Sequence, residues 1–263
     1  MESFSGDWLS LRVQADCAAR SKFLADRFVK RLPPRPRVLD LASGAGANAR
    51  YLETETQWSA PGAAPDWTLV DGDPDLLARA RGLKGGVKAE VANLTPGIPP
   101  ELLVGVDGVT ASAFFDLVSE AWFDAFARSV CGVSLLLALS VDGRWRWSPA
   151  HERDTDIMAQ FARDQRRDKE FGPALGGDAA MAMIRILTAH GFTVSSRRAD
   201  WCLGAADAAL LKALTGMIAD AVRPYNMDAS AWLARRRCEI ARGELRLRLG
   251  HLDLLAVPRA DNA

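Results

Sequence analysis

Apolar residues recur at three- and four-residue steps near the start of the chain: Trp8, Leu11, Ala15, Ala18, Ala19 and Phe23. That is the spacing of one helix face. The helix is expected to end before Pro33-Pro34, because proline lacks an N–H and restricts the residue before it. The pattern then changes. Arg37–Leu41, Trp67–Asp71, Val87–Val91, Gly105–Ala111 and Val133–Val141 read as short strands. Helices are predicted between them at Asn48–Glu53, Leu76–Arg81 and Ser119–Val130, the second opened by Asp73 as N-cap and Pro74 in the first turn. Val133–Val141 is apolar enough for a central parallel strand, which is buried on both faces.

After Asp142-Gly143 the rhythm loosens. Thr155–Lys169 reads as a polar helix, Gly172–Gly177 as a glycine-rich loop or lid, and Ala179–His190 as a helix closed by Gly191. Phe192–Ser196 is a sixth strand. Two helices, Ala205–Val222 and Ala229–Arg242, flank Pro224, and Leu245–Val257 supplies the last strand. Alternating strands and helices specify an α/β fold, with a mostly parallel sheet covered on both faces. The expectation is a Rossmann-like, seven-stranded sheet with extra helices near the C-terminus. No repeat or linker divides the chain, so residues 1–263 read as one domain. Within it, 1–32 carries a capping helix and 204–244 is a helical insertion, either a dimer interface or a substrate lid.

Composition narrows the function. The 263 residues are 49% hydrophobic and 25% charged, which excludes bulk disorder. Lys and Arg number 33, as do Asp and Glu, so the chain lacks the cationic excess of a phosphate-coating protein. A basic run, Arg235-Arg236-Arg237 with Arg242, Arg246 and Arg248, is interrupted by Glu239 and Glu244 and reads as a solvated face. Four scattered cysteines and three histidines suggest neither a metal site nor a disulfide framework. Met1–Arg12 has no apolar core of a signal peptide. The longest apolar stretch is too short to span a bilayer, and a cytoplasmic location is expected.

The segment richest in chemistry is Val38-Leu39-Asp40-Leu41-Ala42-Ser43-Gly44-Ala45-Gly46-Ala47-Asn48. A glycine turn after a buried strand lets backbone approach a ligand, and the following helix directs free N–H groups at it. Asp71 ends the next strand, 25 residues after Gly46, near the spacing of a ribose-binding carboxylate once the Trp58–Asp66 insertion is allowed for. Gly44-Ala45-Gly46-Ala47-Asn48-Ala49 also fits the dinucleotide fingerprint GxGxxA. An NAD(P)-dependent oxidoreductase is therefore a rival reading, although Asp40 inside the strand and the preceding helix disfavour it.

At these residues the sequence resembles the class I S-adenosylmethionine-dependent methyltransferases. Val38–Gly46 corresponds to the first motif and Leu69-Val70-Asp71-Gly72-Asp73-Pro74 to the acidic second. Ala92-Asn93-Leu94 follows the third strand, and Val109–Ala113 ends the fourth. The resemblance covers roughly residues 8–200 and the closing strand. It implies S-adenosylmethionine as cofactor; its motifs name no substrate, and the acceptor is expected to be a small molecule. A nucleic-acid methyltransferase and a non-catalytic cofactor-binding module are the alternatives, the Asn/Asp-Pro-Pro-Tyr motif of the former being absent. It also implies that Asp40 and Ala42, Ser43, Gly44 and Gly46 hold the methionine moiety. Asp71, with Gly72 and Asp73, would meet the ribose, Asn93 and Leu94 the adenine, and Ser112 the methyl donor. Arg12 and Arg20 are candidates for the cofactor carboxylate. Two departures stand out: Ala42 replaces the usual first glycine, and Asn93 replaces an aspartate. Further stretches, among them Phe115-Asp116-Leu117-Val118-Ser119 and Asp168–Gly176, resemble an unnamed bacterial branch of methyltransferases.

Trp145, Arg146 and Trp147 follow the predicted fifth strand, where an acceptor pocket would open, and two indoles there would attract a cation. His151, Asp168 and Lys169 are the titratable candidates for acceptor chemistry. His151 is favoured as general base because free imidazole titrates near neutrality. His251 and Asp253 read as structural hydrogen-bonding groups on the last strand. The expected assembly is a monomer or a homodimer, with no membrane partner.

Overall fold

A computed structural model describes residues 6–58 and 64–259. Residues 1–5 of the N-terminal segment and 59–63 of the Trp58–Asp66 insertion lie outside the described residues. The leading helix is two helices, α1 (Gly6–Ala19) and α2 (Lys22–Val29). Ser21 breaks it: extended there, its hydroxyl accepts from Leu24 N–H and caps α2. The apolar periodicity runs through this break, so spacing alone could not locate it.

Five parallel strands follow: β1 (Arg37–Leu41), β2 (Asp66–Asp71), β3 (Val87–Val91), β4 (Gly108–Ser112) and the first half of β5 (Ser134–Ser148). The helices α3 (Ala47–Glu55), α4 (Pro74–Ala78) and α5 (Glu120–Ser129) connect them. The Asp73 carboxylate caps α4, accepting from the N–H groups of Asp75 and Leu76. Farther along lie α6 (Asp154–Gln165), α7 (Ala179–Ala189), β6 (Phe192–Arg198), β7 (Trp201–Leu203), α8 (Ala208–Val222), α9 (Ser230–Ala241) and β8 (Arg246–Pro258). The sheet order is β3-β2-β1-β4-β5-β8-β6, with β7 also paired to β8. β8 runs antiparallel to β5, β6 and β7. The mostly parallel, helix-covered sheet is thus the one expected, with the short β7 as an additional eighth strand.

β5 departs further from expectation. It does not stop at Val141 but continues through an irregularity to Ser148, pairing Trp145–Ser148 with Arg246–Leu249. Asp142 turns the strand there by accepting from Arg144 N–H, and Gly143 takes a positive φ of 75°. A second irregularity lies between Leu137 and Ser140, where the Asp253 carboxylate accepts from Leu139 N–H at 2.8 Å. The extended halves of β5 and β8, with β7, carry their own apolar cluster, which α6, α8 and α9 cover. It is separate from the two clusters that sandwich the parallel sheet.

The strand order reverses between β1 and β4. Such a point leaves a crevice outside the carboxyl ends of the strands, where α/β proteins bind ligands. No helix among the described residues is long and apolar enough to cross a membrane.

Candidate functional site

β1 is buried on both faces, so Asp40 is held in the protein interior with no exposure. The Asp40 carboxylate is nonetheless positioned: Oδ1 accepts from Asn48 Nδ2 at 2.5 Å and from Thr110 Oγ1 at 2.7 Å. Its other oxygen, Oδ2, has no partner. Burial pushes the Asp40 carboxyl up to about 6, against the pull of these two bonds and of the Arg20 charge.

The turn after β1 bends through three left-handed residues, Ala42 (φ 48°), Gly44 (φ 51°) and Gly46 (φ 73°). At Gly44 a Cβ would touch only the Leu9 side chain, at 3.4 Å, so the face of the loop is kept clear for close approach. Gly46 caps α3 without a side-chain bond, leaving the first-turn N–H groups of α3 uncapped by a side chain. Asp71 stands beside this turn. Its Oδ2 accepts from Gly44 N–H at 2.7 Å and its Oδ1 from Asp73 N–H at 2.9 Å. Burial raises its carboxyl above the usual range.

Loop and carboxylates open onto a cavity of about 1900 Å³. Asp40, Ala42, Ser43, Gly44, Asp71, Gly72, Asp73 and Ser112 line one half of it, beneath α1. The other half is walled by β5, α6, α8 and the 223–225 turn, through residues such as Trp145, Phe161, Met217 and Tyr225. The 204–244 insertion therefore forms a wall of the cavity.

The remaining sequence-derived candidates are distributed unevenly. Gly46 shapes the turn without lining the cavity, and neither Asn93 nor Leu94 lines it. Asn93 is exposed and accepts from Thr95 N–H, while the Leu94 carbonyl accepts from the Trp122 indole. Arg20 lies beneath the turn, not in the cavity. It donates to Asn48 Oδ1 at 2.6 Å, sits over the Tyr51 ring and faces Asp253 at 3.8 Å. Trp145 reaches the cavity, stacked on Trp147 and edge-on to Phe161. Trp147 is buried against Trp232 and Arg236, and Arg146 is exposed outside the cavity. The different fates follow from β5 being a strand there: alternate residues face opposite sides, and the neighbouring helices cover them unequally.

Of the acceptor-side candidates, Lys169 lines the cavity, and burial lowers its ammonium below the usual range. His151 and Asp168 lie away from it. His151 Nδ1 accepts from Arg153 N–H, and Asp168 closes a turn by accepting from Glu170 and Gly172 N–H. The structure brings forward a carboxylate that the sequence reading did not single out. Asp116, four residues past Ser112, lines the cavity, and burial raises its carboxyl, with Arg12 and Lys169 opposing. An acid within Phe114-Phe115-Asp116-Leu117, just beyond a strand end, was the available signal. His251 also lines the cavity; burial holds its imidazole down to about 3, so it is neutral. The basic run is not one solvated face either. Arg236 is fully buried, bonded to Glu239, Asp154 and the Pro149 carbonyl.

The arrangement can take a ligand with a cationic or N–H group near Asp40 and a diol near Asp71. Among the described residues no cluster of His, Cys, Asp and Glu is built for a metal. No family model matches the chain, and no curated protein matches it in sequence. Solved structures do. The cyclopropane synthase MmaA2 of Mycobacterium tuberculosis aligns with 96% of this chain and 94% of its own, at 15% identity and TM-score 0.50. A candidate type II methyltransferase from Anaeromyxobacter dehalogenans aligns with 91% and 97%, at 17% identity and TM-score 0.52. The YcgJ protein of Bacillus subtilis covers 91% of this chain and 100% of its own, at 12% identity and TM-score 0.50. At such identities the likeness is one of fold, and that fold is the class I methyltransferase fold.

Proposed function

We propose that the chain is an S-adenosylmethionine-dependent methyltransferase acting on a small molecule. The observation that carries the reading is the pairing of two buried carboxylates across the glycine turn. Asp40 has one oxygen without a partner, and Asp71 opens on the same cavity. An unpartnered buried carboxylate oxygen is costly to the protein alone and fits the ammonium group of a methionine moiety. Asp71 suits a ribose. Its oxygens each accept one backbone N–H, and a carboxylate has about four acceptor sites, so two hydroxyls can still be held.

S-adenosylmethionine, when bound, supplies a methyl group already activated on a sulfonium. The chain is left with positioning, exclusion of water and handling of the acceptor's proton. Ala42–Gly46 and Ser112 orient the cofactor half, and α1 shields it from solvent. On the acceptor side, Asp116 offers a carboxylate whose raised pKa suits proton uptake, and Lys169 helps to hold the acceptor. His151 and Asp168, turned to local backbone bonds away from the cavity, take no part in this reading.

Room supports the reading as well. Ligand pockets usually measure about 300–1000 Å³. A cavity of about 1900 Å³ accommodates a nucleoside cofactor and a second molecule together.

Titration calorimetry with S-adenosylmethionine, S-adenosylhomocysteine and NAD(P)H tests it. Micromolar binding of the first two and none of the third is expected. Binding of the dinucleotide alone would replace the reading with an oxidoreductase. Labelled methyl donor incubated with cell extract separates an enzyme, which transfers label, from a binding module, which does not.

A further inference from the structure

We infer that the methyl acceptor is a molecule with a sizeable hydrocarbon body carrying a hydrogen-bonding group, and that Gly216 sets the size admitted. This rests on the methyltransferase reading above and concerns the far half of the same cavity.

Apolar side chains make up the floor and the α8 wall there, while Asp164, Gln165, Arg167 and Lys169 line the α6 side and Tyr225 and Arg237 stand opposite. Trp145 and Leu249 form the floor, Phe161 stands on α6, and Leu214 and Met217 descend from α8. The charged groups of α8 that border the space, Lys212 and Asp220, are exposed. A small polar metabolite would leave the floor and the α8 wall uncovered, and its groups turned toward them would lose hydration without replacement. A hydrocarbon body instead gains about 25 cal/mol for each Å² of apolar area removed from water.

Among the apolar side chains of the β5–β8 floor, His251 is a buried polar group. It is 2% exposed and neutral, and its Nδ1 has no partner. Arg12, Asp200 and Arg144 are the charged groups that act on it, and Trp201 packs against the ring. A buried ring nitrogen without a partner, set beside Trp145, Trp201 and Leu249, fits a ligand that brings one. Such isolated polar points fix the orientation of apolar ligands.

Gly216 shows that room is being kept. It lies inside α8, where glycine is less favourable than alanine by about 0.5–1 kcal/mol. Its φ is not in the left-handed region, so the backbone does not require glycine there. A Cβ at Gly216 would meet nothing within 4 Å, and the residue lines the cavity beside Ala213 and Met217. Any longer side chain at this position extends into the space reserved for the acceptor.

The test uses the full chain saturated with S-adenosylhomocysteine and the uncharged fluorophore N-phenyl-1-naphthylamine as probe. The wild type is expected to bind one equivalent, with enhanced probe emission and quenched tryptophan fluorescence. Gly216→Phe should weaken the probe tenfold or more while calorimetric binding of S-adenosylhomocysteine stays within twofold. Gly216→Met serves as the second variant should phenylalanine impair folding, checked by circular dichroism. Ethanolamine at equal concentration should not displace the probe, whereas 2-naphthol should. The inference is overturned if the wild type ignores the probe, if both variants bind it as tightly as the wild type, or if ethanolamine displaces it equally. Loss of S-adenosylhomocysteine binding by the wild type itself would instead remove the methyltransferase reading.

Discussion

Arg20 and Asn48 meet beneath the glycine turn, the Arg20 Nη1 donating to the Asn48 amide oxygen at 2.6 Å. Asn48 passes the connection on to Asp40, and Thr110 joins it from β4. On its other side Arg20 faces Asp253, which accepts from Ser21 N–H and Leu139 N–H. A buried polar chain therefore runs from the last strand to the first, under the turn that shapes the cavity. Removing its cation leaves a buried carboxylate uncompensated. Arg20→Met should lower stability by about 3–5 kcal/mol, read from the urea midpoint. Adding Asp253→Asn should recover part of that loss; strict additivity of the two substitutions would argue against the coupling.

Asp71→Ala removes both the ribose ligand and the acceptor of the Gly44 and Asp73 N–H groups. S-adenosylmethionine binding should fall at least 100-fold by calorimetry, with the fold retained by circular dichroism. Unchanged affinity would contradict the ribose role.

Asp40 makes a distinct pH signature. Its folded-state carboxyl is raised from 3.8 to about 6, so the native state binds the proton more tightly than the unfolded chain. Its contribution to stability is therefore fullest below about pH 4 and is lost as the pH rises to about 6. The loss amounts to about 3 kcal/mol from the shift itself. The stability difference between wild type and Asp40→Asn should follow that curve in denaturant titrations from pH 4 to 7. A flat difference would show that the carboxyl titrates normally. The same variant should bind S-adenosylmethionine at least tenfold more weakly at pH 7.

Ala42 occupies the left-handed region at φ 48°, where an L-residue costs roughly 1–2 kcal/mol and glycine does not. Offset by the greater freedom of glycine in the unfolded chain, Ala42→Gly should stabilise the protein by about 0.5–1 kcal/mol. A lower urea midpoint for the variant would mean that the methyl group contributes packing that outweighs the strain.

Much of this architecture was legible in the chain because it is local. The readings of β1 and β3 match their bounds and that of β2 misses only Asp66, since each is a short run with β-branched or alternating apolar residues between turn residues. The Asp73-Pro74 cap of α4 and the glycine turn carry their geometry in two or three adjacent residues. The division at Ser21 was not legible, because both helices present apolar residues at compatible spacing. Nor was the extension of β5 past Gly143, which exists only because β8 is there to pair with it.

The acceptor side shows the same limit. His151 drew attention through the pKa of free imidazole, yet its ring is committed to the Arg153 backbone. Asp116, which no pattern along the chain singled out, and His251, read there as a structural hydrogen-bonding group, both line the cavity. The triplet Arg235–Arg237 gave no sign that its central residue would be buried between two tryptophans.

By itself, then, the order of residues determined the alternating α/β layout, the turn that clears space for a ligand and the acid set beside it. These depend on periodicity and on backbone preferences acting over a few neighbours. Tertiary structure alone decided which charges are buried, which aromatic rings meet a cavity and how large that cavity is. Such properties arise from contacts between residues as distant as Leu139 and Asp253, 114 positions apart, whose meeting no local pattern encodes.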